Sequence, residues 1–264
     1  MIDDQQMVKL FTRFQTIRRQ TAVGLNSRIL RPDYELPGRV RAFRTMEFIE
    51  MAGHFTPALV EAANRFLIDI HHAEGWFKVA QELDKDDRVS LIWEFAEPHL
   101  ELAVGRPYSL KNLFTFAAVH LLHQSDALKD PNWKDDLPQD REICYALLEK
   151  RGVGWDSSWD RFSDFKEKIQ RLNDGEFEKT TSNFRHRSQH RYRLRFDTGL
   201  TPIVERTPSE KGITYKFGCV PPLDVEKLIP QLYDQHQRAV DVFLAYWKLV
   251  NELCAAWDSK YAQS

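Results

Sequence analysis

The chain is poor in the residues on which small secreted proteins and turn-rich β proteins depend. Its 264 residues hold three cysteines, Cys144, Cys219 and Cys254. They are odd in number and far apart, so they make neither a disulfide framework nor a zinc knuckle, and they fit a reducing compartment. Only 11 Gly and 12 Pro are present, which argues against an all-β fold. Long hydrophobic runs are missing too: Phe114 to Leu122 is broken by His120 and is too short for a bilayer. The N-terminus reads Met1-Ile2-Asp3-Asp4, acidic where a signal peptide is basic. These absences lead to the expectation of a cytoplasmic protein with no membrane segment. Charge of one sign is not in excess, with 37 Lys+Arg against 39 Asp+Glu and a formal charge of −2. A uniformly basic nucleic-acid coat is thereby excluded. No Gly-rich phosphate loop, Gly-x-Ser-x-Gly elbow or Cys–His nucleophile pattern occurs; Arg151-Gly152-Val153-Gly154 has no strand before it.

What is present is ordinary globular composition, 42% hydrophobic and 29% charged, which excludes wholesale disorder. Seven Trp and 17 Phe suggest tightly packed helices with large anchors, and Trp155, Trp159, Trp247 and Trp257 read as core. Met7, Leu10, Phe11, Phe14 and Ile17 have helical spacing within residues 1–20. Residues 26–40 read as a loop, and Val40 to Met51 as a short helix. Thr56-Pro57 looks like the start of a new helix, with Leu59, Ala62, Ala63, Phe66, Ile70, Phe77 and Ala80 on one face. Further helices are predicted over Arg88–Val104, kinked at Pro98, and over Ser109–Leu128. Others cover Gln139–Lys150, ended by the glycines at 152 and 154, and Trp159–Leu172, capped by Asp156-Ser157-Ser158. Another covers Phe177–Tyr192. Ile203–Arg206 and Ile213–Phe217 flank Pro208–Gly212 as a β-hairpin, and Asp224–Tyr261 is a long amphipathic helix. The fold class is therefore mainly α, a helical bundle with a small β-hairpin before the C-terminal helix. It divides into an N-terminal helical extension, 1–54, and a helical bundle domain, 55–264.

One stretch stands apart. Residues 183–195, Asn-Phe-Arg-His-Arg-Ser-Gln-His-Arg-Tyr-Arg-Leu-Arg, carry five Arg and two His and no acid, which leaves −7 for the remainder of the chain. A local basic patch on an acidic protein favours a specific anionic partner. Arginine forks match phosphate oxygens, and imidazoles titrate near neutrality, where acid–base work is done. Two structural readings stand beside this one. The tract can be a solvated helix end, or it can pair with the acids at 84–87 or 135–136.

Arg185-His186-Arg187-Ser188-Gln189-His190 resembles the Arg–polar–x(3–5)–His signature of the HEPN superfamily. Arg65 and His71 have a similar spacing, but Phe66 fills the polar slot. The resemblance, over about residues 55–262, implies an α-helical bundle, commonly a homodimer. It further implies a metal-independent endoribonuclease of toxin–antitoxin or antiviral defence systems, with RNA as substrate, a possible antitoxin partner and no cofactor. On this reading Arg185, His186 and His190 are catalytic, and Arg187, Arg191, Tyr192 and Arg193 bind the RNA. On an ideal helix, residues 185 and 190 lie about 140° apart while 186 and 190 share a face. A long arginine side chain, a bent helix end or a second subunit must then bring Arg185 and His190 together. The alternative function is a non-catalytic RNA-binding or protein-interaction module. A third is a metal bundle built from His120 and His123, from His186 and His190, or from His71, His72 and Glu74. Satisfied core or boundary positions are the plainer reading of His120 and His123.

Overall fold

Apolar residues recurring every three or four positions make most of this chain helical. A computed structural model describes residues 3–22, 30–31, 43–184, 195–209 and 212–261. Helix α1, Asp4–Ala22, opens where the Asp3 carboxylate accepts the Gln6 backbone N–H. It buries Leu10, Phe14 and Ile17, while Phe11, expected on the same stripe, is half exposed.

Helix α2, Phe43–Ala80, runs straight through Pro57. The helix start expected at Thr56-Pro57 is absent because Phe48, Ala52, Thr56, Leu59, Val60 and Ala63 form one unbroken buried stripe. Thr56 is in the core rather than at a cap. The carbonyl that Pro57 leaves without a helical partner belongs to Gly53, an exposed residue.

Asp84 caps α3, Lys85–Leu91, through the N–H groups of Asp86 and Asp87. A π-helical turn, Ile92–Ala96, follows and leads into α4, Glu97–Asp126. The irregularity expected at Pro98 is that π turn, which lies just before the proline. The two helices expected on either side of residues 105–108 are the single helix α4. Its stripe continues through Leu100, Ala103, Val104, Leu110, Phe114, Ala117 and Leu121.

After a loop and a short 3-10 turn, Asp140–Glu142, comes α5, Tyr145–Asp156. It passes through the glycines expected to end it. A Cβ at Gly152 would stand 3.1 Å from the Phe162 ring, so this glycine permits close packing. Helix α6, Phe162–Arg171, starts later than expected. The N–H groups of Asp160 and Arg161, in the turn just before it, are held by the Glu252 carboxylate at 2.8 and 3.0 Å, and no side chain of Asp156-Ser157-Ser158 caps the helix. Helix α7, Gly175–Thr180, ends where Ser182 and Asn183 take positive φ, so the helix expected over Phe177–Tyr192 is interrupted there, and its residues 185–192 lie outside the described residues.

The hairpin is as expected, with β1, Thr201–Ser209, antiparallel to β2, Gly212–Val220. Helix α8, Val225–Tyr261, closes the described chain and buries Leu228, Leu232, Ala239, Val242, Phe243, Tyr246, Leu249, Val250 and Leu253. The protein is mainly α-helical with one small hairpin before its last helix.

The chain divides into two compact, interleaved units. Residues 1–28, 66–106 and 175–234 form the first, and 29–65, 107–174 and 235–264 the second. In the first, Phe14 stacks on Trp76 at 4.2 Å and 6°, and Trp76 meets Phe95 at 4.7 Å. In the second, Tyr246 is fully buried among Phe114, Phe165 and Phe243. Trp155, Trp159 and Trp257 are core there, as expected, and Trp247 is half-buried.

Candidate functional site

The catalytic candidates Arg185, His186 and His190 and the RNA-binding candidates Arg187, Arg191, Tyr192 and Arg193 lie outside the described residues. What the structure places are the two ends of their segment, both within the first unit. On the N-terminal side the left-handed Ser182 and Asn183 turn the chain, and the Asn183 N–H donates to the Glu178 carbonyl at 2.6 Å. Phe184 is then buried. On the C-terminal side Phe196 is fully buried, and the two rings lie 5.7 Å apart. Leu223, ahead of α8, clamps the exit: its N–H donates to the Arg195 carbonyl at 2.9 Å, and its carbonyl accepts the Asp197 N–H at 2.8 Å. The Asp197 carboxylate meets the Arg88 guanidinium at 2.6 Å. Burial and pairing thus bring the ends of a polar, basic segment to one place on the scaffold.

Arg195, the last arginine of the tract, belongs to that scaffold. Its guanidinium stands 3.4 Å from both oxygens of Glu97, a carboxylate that is 1% exposed, and lies over the Trp93 ring at 4.7 Å. Trp93 itself is partly open to solvent. Asp84 caps α3, Asp87 accepts from the Gln6 amide at 3.0 Å, and Asp135 and Asp136 serve a second site.

That second site is a cleft of about 520 Å³ in the second unit, lined by His123, Asp126, Lys129, Trp133, Asp136 and Arg151 among others. His123 is sealed from solvent. An arginine can only donate, so the 3.2 Å contact from Arg151 makes His123 Nδ1 the acceptor and leaves the proton on Nε2, 3.1 Å from Asp135. Arg151 also holds Asp136 at 2.8 Å, and this keeps the Asp136 carboxyl below the usual range. Asp126 receives the Trp155 indole N–H at 3.1 Å on both oxygens, yet burial pushes its carboxyl up. The cleft carries side chains of both signs, and both imidazole nitrogens of His123 are engaged. The arrangement fastens the loop after α4 rather than offering a base. His120, one turn earlier, lies 3.6 Å from Asp140, and burial lowers its pKa. The spacing of His120 and His123 signalled this cluster in the sequence. The role of Arg151 had no signal, because it lay in a presumed chain break.

In the first unit the His71 Nε2 meets the Thr21 hydroxyl at 2.5 Å, and burial pushes the imidazole down. His72 lies edge-on to His99 at 4.9 Å. Glu74 accepts from Lys78 and from the Tyr233 hydroxyl, each at 2.6 Å. Among the described residues no group of three or more His, Cys, Asp and Glu is placed to hold a metal ion. No helix of the described residues is long and apolar enough to cross a membrane. Set against known proteins, the chain matches no family model, no curated protein and no solved structure.

Proposed function

We propose that this protein cuts RNA, as a metal-independent endoribonuclease of the HEPN type working as a homodimer in a cytoplasm, in a toxin or antiviral defence role. The observation that carries the reading is the segment 185–194. It holds four Arg, two His and no acid, and it runs between the buried, mutually touching Phe184 and Phe196 just ahead of the hairpin and the closing helix. A segment of this charge, anchored at both ends, suits a polyanion.

The chemistry follows from the residue types. The 2′-hydroxyl of one nucleotide attacks the adjacent phosphorus, and the 5′-oxygen of the next nucleotide leaves. His190 takes the hydroxyl proton or supplies one to the leaving oxygen. Arg185 offsets the charge gathering on the phosphorane, a contribution of about 10²–10³ in rate, and His186 orients the pair. Arg187, Arg191 and Arg193 hold flanking phosphates, and Tyr192 stacks on a base. The test is cleavage of a labelled RNA by purified protein in EDTA. His190→Ala and Arg185→Ala each remove the activity; cleavage that survives both substitutions contradicts the reading.

A non-catalytic RNA-binding or protein-interaction module is the second reading. Arg195 favours it, since this arginine of the tract is matched by Glu97 and serves the scaffold. It predicts RNA binding that weakens steeply with salt and yields no products. Absence of any RNA binding directs attention to a protein partner.

A further inference from the structure

The hairpin poses a problem of its own. Residues Gly212 to Cys219 of β2 are exposed, as are Val204 and Arg206 of β1, and the sheet has two strands among the described residues. A lone two-stranded ribbon is marginal in water. The register pairs Pro202 with Cys219, Val204 with Phe217, Arg206 with Tyr215 and Pro208 with Ile213. Side chains of these alternating positions share one face, and that face is largely apolar. Phe217, Tyr215 and Ile213 are 79, 58 and 50% exposed on it.

The prolines fix which main-chain groups point outwards. A hydrogen-bonded pair exchanges two N–H···O bonds, and proline has no N–H to give. Positions 202 and 208 therefore belong to the pairs that are not hydrogen-bonded, and so do their partners 219 and 213. By alternation 215 and 217 belong there as well. The N–H and C=O groups of Ile213, Tyr215, Phe217 and Cys219 thus face away from β1. The outer edge of β1 is interrupted by two prolines, the usual protection against strand addition. The outer edge of β2 has no such protection, and its single charged side chain is Lys216.

We infer that the outer edge of β2 pairs antiparallel with the same edge of a second copy of this chain, giving a four-stranded sheet across a two-fold axis. The occupant is a second copy because the two edges differ. Pairing β2 with β2 consumes both open edges and leaves only the proline-interrupted ones outside, so the assembly closes at two. Charge agrees. With the axis at Tyr215, Lys216 faces Thr214 of the second copy, and Ile213 faces Phe217; an axis at Lys216 would set like charges opposite each other. A formal charge of −2 adds little repulsion between copies. Area sets the strength. Edge pairing covers the main-chain groups and only the flanks of Ile213, Tyr215 and Phe217, whose shared face stays open. The interface is therefore at the small end of specific contacts, and the dimer is reversible.

The inference rests on the homodimer of the proposed function and names the contact that forms it; its test contains no RNA, so a dimer indifferent to Tyr215→Pro overturns this contact and leaves the nuclease reading standing. Sedimentation of the full chain from about 1 to about 200 µM should show monomer and dimer in exchange and nothing larger. Tyr215→Pro removes an outward N–H, as the two prolines of β1 do, and should weaken dimerisation at least tenfold. Arg206→Pro, on the edge already interrupted, should leave it unchanged. Amide exchange in the wild type gives a readout that needs no variant. The N–H groups of Ile213, Tyr215 and Phe217 should gain protection with concentration, and that of Arg206 should not. A monomer throughout the range, species larger than the dimer, a dimer indifferent to Tyr215→Pro, or amides of β2 unprotected in the dimer would each overturn the inference.

Discussion

Gly75 and Gly53 lie on the same long helix, and replacing each by alanine should have opposite effects. In a helix interior alanine is favoured over glycine by about 1 kcal/mol. At Gly53 nothing stands within 4 Å of the added Cβ, so Gly53→Ala should stabilise by up to about that amount. At Gly75 the Cβ would meet Phe14 at 2.8 and 3.1 Å. Carbon atoms pack best at about 3.5–4.0 Å, so the ring must move by most of an ångström. It has little room to do so, being stacked on Trp76 at 4.2 Å with the Phe11 and His72 rings at 6.0 and 5.9 Å. Overpacking of this kind costs about 1–3 kcal/mol. The helix gain offsets part of that, so Gly75→Ala should destabilise by about 0–2 kcal/mol. Urea unfolding of both variants measures the difference, and adding Phe14→Leu to Gly75→Ala should restore the gain by making room. Equal stabilisation at both glycines would mean that Phe14 does not pack on α2 as described.

Two further predictions concern charge. Burial raises the folded-state pKa of Asp126, so folding takes up a proton there, and stability declines as pH rises from the unfolded to the folded pKa and is level above it. Asp126→Asn keeps an acceptor for Trp155 and should remove that decline. The variant's stability relative to wild type should therefore rise with pH through this interval in unfolding curves at successive pH values; an opposite slope would refute the assignment. Arg195→Ala strips a partner from the buried Glu97 and should cost about 1–2 kcal/mol, given that the arginine is partly solvated. RNA affinity should change little, whereas Arg187→Ala and Arg191→Ala should weaken RNA binding and leave stability alone.

The helices and the hairpin were legible because their apolar spacing is what the core consumes: Leu59, Ala63, Phe66 and Ile70 are all buried. Boundaries were misplaced where a residue type has two uses. Pro57 and the glycines at 152 and 154 read as punctuation, yet the buried stripe carries α2 past the proline, and Gly152 lets Phe162 approach α5. The hold of Glu252 on the turn before α6 had no local signal at residue 160, because the carboxylate comes from α8. The charge of the tract was legible as composition. The place of Arg195 beside Glu97 and Trp93 was not, because both partners lie about a hundred residues away along the chain.

Single-turnover RNA cleavage in chelator probes the chemistry of the tract itself. With enzyme in excess and EDTA present, the wild type should convert RNA to fragments ending in a 2′,3′-cyclic phosphate, while His190→Ala, folded as judged by its helical circular dichroism, should not. Cyclic-phosphate products formed at the wild-type rate by His190→Ala would contradict the account.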